Sequence, residues 1–271
     1  MTKEILEGIE RAEIAYAAKT DFRQRYYAND HHRDTVVVAP KRMPIANGRE
    51  MSLDLDREGA ILVQHHSMVE DFENREEVAA KHPTEIVALL LEHTGADEVL
   101  VTSPGILRFS EKSGRAGSSD NSNPARFAHV DTSRETARSF AEASLPEGRK
   151  LARYAHYNVW RAFSCAPQDV GLAICDAGSV DEADLLTADA IFDPPGGAPE
   201  WGFDSYLLAH NPAHRWFAFP DMTRDEAIIF KTSDSQFHNP APHVAFDNPA
   251  APPDAPPRAS IEMRAVAYWY A

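Results

Sequence analysis

The segment AHVDTS places a histidine and an aspartate two positions apart, at His129 and Asp131. Side chains at positions i and i+2 of a β-strand point to the same face, so on a strand both could reach one metal ion. An imidazole and a carboxylate are two of the three ligands of a two-histidine, one-carboxylate iron site. The same pair also occurs as an ordinary polar pair at a strand end, so the metal interpretation depends on a third ligand.

Two later pairs of histidines are candidates for that ligand. His210 and His214 flank a proline, which favours a turn over a helical metal-binding pair. His238 and His243 lie in QFHNPAPHVAF, where the apolar residues after His243 indicate a strand with a buried face. The other histidines with close neighbours are expected to be structural or solvated: His31, His32, His65 and His66.

A basic residue follows the second pair. Arg258 and Ser260 in PRASIEMRA are again spaced i, i+2 on a predicted strand. A planar guanidinium beside a hydroxyl suits a bidentate grip on a carboxylate. Jelly-roll iron oxygenases bind the 2-oxoglutarate carboxylate that lies away from the iron with an arginine, on a strand that follows the second histidine ligand. A surface arginine on an edge strand would give the same sequence pattern.

The chain that must position these residues is ordinary in composition. It has 271 residues, of which 43% are hydrophobic and 25% charged, typical of one globular domain with a sizeable core. Its net charge of −15 disfavours a nucleic-acid partner. The sequence has no run long enough for a membrane span and no signal-peptide pattern at its start, which predicts a cytoplasmic protein. Cys165 and Cys175 are expected to be small buried residues.

Helical patterns are few. Residues 74–95 predict a helix that is interrupted at Pro83 and ends at Gly95. Thr132 and Glu135 fit a capping box that begins a second helix through RETARSFAEASL. The polar segment 111–126 lacks periodicity and is expected to be a mobile loop, a candidate lid, directly before the histidine–aspartate pair.

Strand patterns dominate from residue 154 onward, as in YAHYNVWRAF, VGLAICDA, EAIIFKTSD and SIEMRAVAYWY, with proline and glycine clusters between them. This predicts a mixed α/β, mainly β fold with a double-stranded β-helix core (jelly-roll, cupin-like) and helices packed outside. We expect a single domain, residues 1–271. Its first 110 or so residues would form a helix-containing α/β part that packs on a jelly-roll core of about residues 125–271.

Several segments, taken in order, are similar to those of one family: SLDLDREGAILVQHHSMVEDFENREEV, HTGADEVLV, AHVDTS, HYNVWRAF, LAICDAGSVDEADL, HRWFAFPDMTRDEAIIFKTSDS, PHVAF and PRASIEMRA. The chain thereby resembles the CmcJ/AsaB-like hydroxylase/desaturase family, which includes a cephem-methoxylation protein and a gibberellin desaturase. The resemblance runs over most of the sequence. It implies a non-haem Fe(II), 2-oxoglutarate-dependent dioxygenase that uses O2 to hydroxylate or desaturate a small molecule, in specialised metabolism.

The resemblance also assigns site residues. It implies His129, Asp131 and His243 as the metal ligands, with no catalytic residue beyond the metal centre. It implies Arg258 and Ser260 as the clamp for 2-oxoglutarate, with Arg264 as a second basic candidate. Three further residues of the HYNVWRAF strand are expected to line the substrate pocket: Asn158, Trp160 and Arg161. Where relatives often have Trp-Arg-Pro, this chain has alanine third, a departure that concerns substrate shape more than the iron.

Two other function classes fit the same residues. A cupin-like hydrolase or isomerase could use the three ligands with Zn or Mn and would not need oxygen. A non-catalytic accessory protein to a partner biosynthetic enzyme would keep the fold and bind metal weakly or not at all. We expect a small-molecule substrate and no nucleic-acid or membrane partner, with a partner enzyme or a homo-oligomer left open. The substrate and its site of oxidation have no signature in the sequence.

Overall fold

A computed structural model describes residues 11–237 and 240–271 of the chain, which is built mainly from β-strands. In the first part of the chain the strands are β1 (Arg11–Ala17), β2 (Arg25–Tyr27), β3 (Val38–Asn47), β4 (Ala60–Gln64), β5 (Glu98–Val101), β6 (Ile106–Phe109) and β7 (His129–Val130). They are followed by β8 (Leu151–Ala162), β9 (Val170–Cys175), β10 (Leu185–Phe192), β11 (Trp201–Leu208), β12 (Trp216–Ala218), β13 (Glu226–Asp234), β14 (His243–Asp247) and β15 (Ala259–Tyr270). The α-helices are α1 (Arg75–Thr94) and α2 (Arg134–Ser144).

The strands form two sheets that face each other. The larger sheet has the order β1-β3-β12-β9-β14-β7-β11-β10-β2, and the smaller has the order β4-β13-β8-β15-β5, with β6 also paired to β15. One buried apolar cluster takes side chains from both sheets, among them Trp160, Ile174, Phe217 and Phe230. Two curled sheets around a shared core are the arrangement expected of a jelly roll.

The first part of the chain contributes strands to both sheets. Strands β1 to β3 belong to the larger sheet and β4 to β6 to the smaller one, while α1 packs outside. The α/β first part expected from the sequence has, over the described residues 11–110, six strands and the helix α1. In β1, Ala12, Ile14 and Tyr16 alternate with exposed residues and pack into the core.

Helix α1 begins and ends as its sequence predicts. The Asn74 side chain accepts hydrogen bonds from the first turn, and Gly95 takes the left-handed conformation at φ 64°. The predicted interruption at Pro83 is wrong, because the helix continues through it. Ile86 and Leu90 beyond the proline are fully buried against the smaller sheet, and this packing holds the second half of the helix in line. No helix of the described chain is both long and apolar enough to cross a membrane.

Helix α2 begins one residue later than the capping-box prediction places it. Ser133, and not Thr132, is the N-cap, and its Oγ accepts a hydrogen bond from the Thr136 amide at 3.1 Å. The Ser133 amide donates to the carbonyl of Asp204 on β11 at 2.6 Å, which keeps the chain extended up to this residue. The helix therefore starts at Arg134.

The two cysteines differ in exposure. Cys175 is fully buried on β9, as expected, whereas Cys165 is exposed and the prediction for it is wrong. Cys165 lies in the loop that joins β8 to β9, and loops run over the surface because their backbone groups need water.

Candidate metal centre

Two histidines face each other across neighbouring strands. Strand β7 lies between β11 and β14, and the antiparallel register with β14 places His129 directly opposite His243. Directly opposed residues of an antiparallel pair project to the same face. Their ring centroids are 4.3 Å apart, and both side chains are buried between the sheets.

Asp131 completes the cluster from just beyond the strand. Strand β7 ends at Val130, so the i, i+2 spacing acts across a strand end rather than within a strand. Asp131 Oδ1 lies 3.9 Å from His129 Nε2, and Oδ2 lies 3.8 Å from His243 Nε2. One ligand atom from each of the three residues lies within 4.8 Å of the others. The structure therefore brings together the three residues that the sequence named as ligands.

The hydrogen bonding of His129 leaves the correct nitrogen free. Its Nδ1 lies 3.0 Å from the Phe127 carbonyl, which can only accept, so Nδ1 carries the proton and Nε2 presents its lone pair. Burial, helped by the neighbouring His243, lowers the pKa of His129 to about 4. Burial also lowers the pKa of His243. Both imidazoles are therefore neutral near pH 7, the form that binds a metal ion.

Asp131 is held in place by two partners. Asn158 Nδ2 donates to its Oδ2 at 2.7 Å, and Arg264 Nη2 donates to its Oδ1 at 2.6 Å. Burial raises the pKa of this carboxyl, but Arg264, the two histidines and the Asn158 hydrogen bond outweigh burial, so the pKa lies well below its usual range. The carboxylate is thus ionised and fixed in orientation.

This donor set fits a divalent transition metal. Two neutral imidazoles and one carboxylate within 4.8 Å of one another are the donor set of the facial triad that Fe(II) oxygenases use, and Zn or Mn can also occupy such a site. Neither Nε2 atom, of His129 or of His243, donates to or accepts from a described residue. The two nitrogens are therefore available to an ion.

The alternative histidines lie elsewhere. His214 is buried with its Nδ1 3.2 Å from the Tyr16 hydroxyl and its Nε2 3.1 Å from Asp184, and His210 packs edge-on to the same tyrosine ring. His238 lies outside the described residues. The earlier histidines are used in other ways: His65 lies 2.5 Å from an Arg161 nitrogen, and the others are exposed, namely His31, His32 and His66.

The two arginines predicted near the cosubstrate differ in what they bind. Arg264 is engaged twice, by Asp131 and by Glu262, whose Oε1 lies 2.9 Å from its Nε. Arg258 is buried between the sheets, donates one hydrogen bond to the Gly171 carbonyl at 3.2 Å, and has an Nε without a partner in the described chain. Burial lowers the pKa of Arg258 to about 9. Arg258 is thus a buried cation without a bound carboxylate.

Ser260 does not face a free acceptor. Its hydroxyl is fully buried and donates to the backbone carbonyl of Arg108 on the adjacent strand β6 at 3.3 Å. A hydroxyl has one proton, so in this arrangement Ser260 has none left for a carboxylate.

The three residues predicted to line the substrate pocket lie in different surroundings. Asn158 faces the metal cluster and lines a cavity, whereas Trp160 packs in the core between the sheets. Arg161 points to the opposite face of β8, where Nη1 donates to the carbonyls of His65 and Arg224 at 3.1 Å each. The strand alternation explains this split, because residues 158 and 160 share one face and 161 the other.

A small cavity adjoins the metal cluster. It has a volume of about 300 Å³, and His129, Asp131 and Arg264 line it. Arg108, which the sequence reading missed, also lines it and donates to the Asn121 side chain at 2.6 Å and to the Asn123 carbonyl at 2.8 Å. Its position could have been found only from the pairing of β6 with β15, which places Arg108 opposite Ser260.

A larger, mainly apolar cavity opens on the other side of Asp131. Its volume is about 1020 Å³, and Asp131, Asn158 and Arg264 form its polar end. The rest of its wall comes from both helices, from strands β5, β6, β8, β10, β11, β13 and β15, and from connecting loops. The sequence reading missed this wall, although the aromatic ends of β10 and β11 signal an aromatic pair at that hairpin.

Comparison with known proteins gives one family model that matches residues 14–268, the oxidoreductase/YMDC permease-like domain. Among curated proteins, the hydroxylase/desaturase efuI of Hormonema carpetanum is 28% identical over 243 residues, which cover 81% of this chain and 80% of that protein. An alpha-ketoglutarate-dependent dioxygenase, phiK, of a fungal species is 26% identical over 83% of each chain. These relatives confirm the family resemblance read from the motifs.

A solved structure extends the comparison to the fold. The iron and alpha-ketoglutarate-dependent endoperoxidase NvfI superposes with a TM-score of 0.81 at 21% identity, over 98% of this chain and 99% of that one. Together with the two facing sheets, this likeness confirms the predicted mainly β, jelly-roll fold class with helices outside.

Proposed function

The chain belongs to the oxidoreductase/YMDC permease-like family, and from this premise we propose that it is a non-haem Fe(II), 2-oxoglutarate-dependent dioxygenase. It hydroxylates or desaturates a small molecule, and the names of its relatives support a place in specialised metabolism. The observation that carries the proposal is the buried cluster of His129, Asp131 and His243 inside a jelly roll.

The ligand assignment follows from this cluster. His129 and His243 offer two neutral Nε2 atoms, and Asp131 offers an ionised carboxylate that Asn158 and Arg264 hold in position. Bound Fe(II), with 2-oxoglutarate and O2, supplies the chemistry: oxidation of the keto acid to succinate and CO2 is coupled to a two-electron oxidation of the substrate. The protein holds the reactants in place and keeps water from the site.

We assign the grip on the far carboxylate of 2-oxoglutarate to Arg258. Its side chain is buried and donates to Gly171 of β9, the strand beside β14, which carries His243. Among the described residues its Nε has no partner, and no carboxylate pairs with it. Arg264 is already paired with Asp131 and Glu262, and the Ser260 hydroxyl already donates its hydrogen bond to a backbone carbonyl. Arg264 is therefore a positioning residue for Asp131 and not the cosubstrate clamp.

The loop over residues 111–126 serves as the lid. It lines the small cavity beside His129, and Arg126 joins its two ends by donating to Glu111 at 2.9 and 2.6 Å. A second ion pair, between Arg115 and Glu73, ties the middle of the loop to the segment before α1. Arg126 also pairs with Asp247 of β14, and Arg108 of β6 donates to Asn121 and Asn123 of the loop. Opening of the lid is therefore coupled to the strands that border the metal cluster.

The remaining expectations complete the proposal. We propose that the chain works as a single oxygenase domain in the cytoplasm, on a small-molecule substrate and not on nucleic acid. Its net charge of −15 would repel a phosphate backbone. A partner enzyme or a second copy is not required by the site, because its ligands all come from one chain.

The test is oxygen-dependent succinate formation by protein reconstituted with Fe(II) without oxygen and given 2-oxoglutarate. We expect bound iron and a slow release of succinate when oxygen is admitted. His243→Ala should lose both, while His66→Ala, a change of an exposed histidine, should keep both. Iron retained in full by His243→Ala contradicts the ligand assignment. Metal-dependent turnover without oxygen would indicate a hydrolase or isomerase, and a wild type that binds no metal would indicate an accessory protein.

A further inference from the structure

The larger cavity has a size and a wall that define a ligand class. Its volume of about 1020 Å³ is at the upper end of the range for pockets that enclose drug-sized ligands, roughly 300–1,000 Å³. Apolar side chains from several elements line it, among them Val78, Leu100, Ile106 and Met263. A ligand that fills this space must therefore be mainly apolar and much larger than 2-oxoglutarate.

An aromatic cluster of Phe192, Trp201 and Phe203 forms one edge of this cavity. Phe192 and Trp201 are cross-strand partners whose rings stack with centroids 4.4 Å apart and an interplanar angle of 13°. Phe203 packs against both, at 5.5 and 5.7 Å. Trp201 is 54% exposed, although a ring of this size is ordinarily well covered. The cluster offers a flat apolar surface to whatever enters the cavity.

The polar end of the cavity presents an acceptor from Asn158. Asp131 is an ionised carboxylate and can only accept, so Asn158 must turn its NH₂ group toward it, as the 2.7 Å contact requires. The amide oxygen Oδ1 then faces away from Asp131, and no described residue donates to it. Asn158 is 1% exposed to bulk solvent and lines the cavity. An amide oxygen that opens onto a cavity and takes no donor from the described chain is free to accept a hydrogen bond from a ligand.

His156 presents a second acceptor by the same logic. Its Nε2 lies 2.9 Å from the Ala137 carbonyl, which can only accept, so the proton is on Nε2 and the Nδ1 lone pair is left. Burial lowers the pKa of His156 to about 4, which keeps the ring neutral. His156 lines the cavity, and no described residue donates to Nδ1. Residues 156 and 158 share one face of β8, so the two acceptors lie side by side, about 7 Å apart along the strand.

We propose that the larger cavity binds a drug-sized, predominantly apolar substrate that donates hydrogen bonds, from hydroxyl or N–H groups, to Asn158 Oδ1 and His156 Nδ1. The aromatic cluster covers the apolar part of this substrate, and the donor groups orient the carbon skeleton next to Asp131. The inference rests on the proposed function only in taking the Asp131 end of the cavity as the reacting end. A substrate of the same size with ethers or ketones in place of the donors is rejected, because both acceptors then stay unpaired.

The test uses two probes with the same skeleton, estradiol and its 3,17-dimethyl ether. Binding to the Fe(II)- and 2-oxoglutarate-loaded protein is followed without oxygen by quenching of tryptophan fluorescence, so no turnover is needed. We expect estradiol to bind at least about ten-fold more tightly than the ether, since each lost hydrogen bond to a buried acceptor weakens binding several-fold. His156→Phe and Asn158→Ala should each reduce this preference, while His66→Gln, an exposed control, should retain it.

Failure of the inference is distinct from failure of the proposed function. Equal or tighter binding of the ether overturns the donor requirement, and so does an unchanged preference in both variants. Lack of binding by either probe overturns the apolar, drug-sized class. Succinate formation is measured separately on the same protein. Succinate formation without a preference for estradiol supports the proposed oxygenase function and contradicts this inference. A preference for estradiol without succinate formation supports this inference and contradicts the oxygenase function. If Asn158→Ala does not fold, His156→Phe alone decides, because that side chain has no contact with the metal ligands.

Discussion

Asn158 and Arg264 are direct cross-strand partners on β8 and β15, and they bind opposite oxygens of the same carboxylate, Asp131. The proposed metal ligand Asp131 is thus oriented by the register of two long strands of the smaller sheet, while the two histidines come from the larger sheet. The site is assembled from both sheets, and each sheet supplies part of its geometry.

Removal of Arg264 should weaken metal binding. In Arg264→Met the Oδ1 atom of Asp131 loses its partner and the carboxylate is free to turn, so we expect affinity for Co(II), used in place of iron, to fall about 10–100-fold. Isothermal titration calorimetry measures this, with Arg42→Met, an exposed arginine on β3, as the control. Unchanged Co(II) affinity in a folded Arg264→Met protein would remove the positioning role.

Removal of Arg258 should act on the cosubstrate and leave the metal in place. We expect Arg258→Met to raise the KM for 2-oxoglutarate by about 100-fold, because a bidentate, charge-assisted grip is lost, while iron content stays at the wild-type level. Ser260→Ala is the matched control on the same strand and should change the KM less than about three-fold, since its hydroxyl already binds a backbone carbonyl. A larger effect of Ser260→Ala than of Arg258→Met would reverse this assignment.

The aromatic cluster should contribute to binding through its ring surface. Trp201→Ala should weaken estradiol binding about five- to ten-fold, since an aromatic contact is worth about 0.5–1.5 kcal/mol beyond area burial. Trp201→Phe should retain most of the affinity, and Phe22→Ala, which removes an exposed ring elsewhere, should have no effect. Because Trp201 is itself a fluorophore, calorimetry is the measurement here. Equal affinities of Trp201→Ala and wild type would exclude the cluster from the binding surface.

The acid stability of the protein should depend on Glu226. Arg49 binds both of its oxygens, at 2.6 and 2.8 Å, and this pair, with hydrogen bonds from Thr223 and Gln64, lowers the pKa of the buried Glu226 from 4.5 to about 2. The unfolded chain takes up this proton first, so the stabilisation is complete above pH 4.5 and is lost as the pH falls from 4.5 towards 2. The free energy involved is roughly 2–3 kcal/mol.

Denaturant unfolding between pH 3 and 7, a range set by this titration, checks the prediction. Glu226→Gln should unfold more easily than wild type at neutral pH and should lose less stability on acidification. Glu13→Gln, a change of an exposed carboxylate on β1, should follow the wild-type curve. A Glu226→Gln curve parallel to that of the wild type would contradict the role of this pair.

The proximity of His129, Asp131 and His243 was expected from one local pair together with the motifs of the family resemblance. His129 and Asp131 lie two positions apart, and His243 opens a strand whose apolar residues are visible in the sequence. The bounds of β13 are those of the predicted EAIIFKTSD, because its apolar run AIIF lies between polar, turn-forming segments.

What the sequence did not reveal depends on pairing between distant segments. Arg264 reaches Asp131 because β15 pairs with β8 in one particular register, and no local pattern encodes that register. The predicted interruption at Pro83 and the predicted cap at Thr132 failed for the same reason. In each case a tertiary contact, the buried Ile86 or the Asp204 carbonyl, outweighed the local preference.

The cross-strand pairing of His129 with His243 has a consequence for the order of assembly. The two residues are more than 100 positions apart, and they meet only after β7 has been inserted between β11 and β14. A metal ion in solution would find no such ligand pair on the unfolded chain, so it cannot nucleate folding. We therefore expect the ion to enter after these strands have paired, at a site where Asn158 and Arg264 already hold Asp131. On this order of assembly we expect the protein to fold without metal and to exchange its metal ion without unfolding.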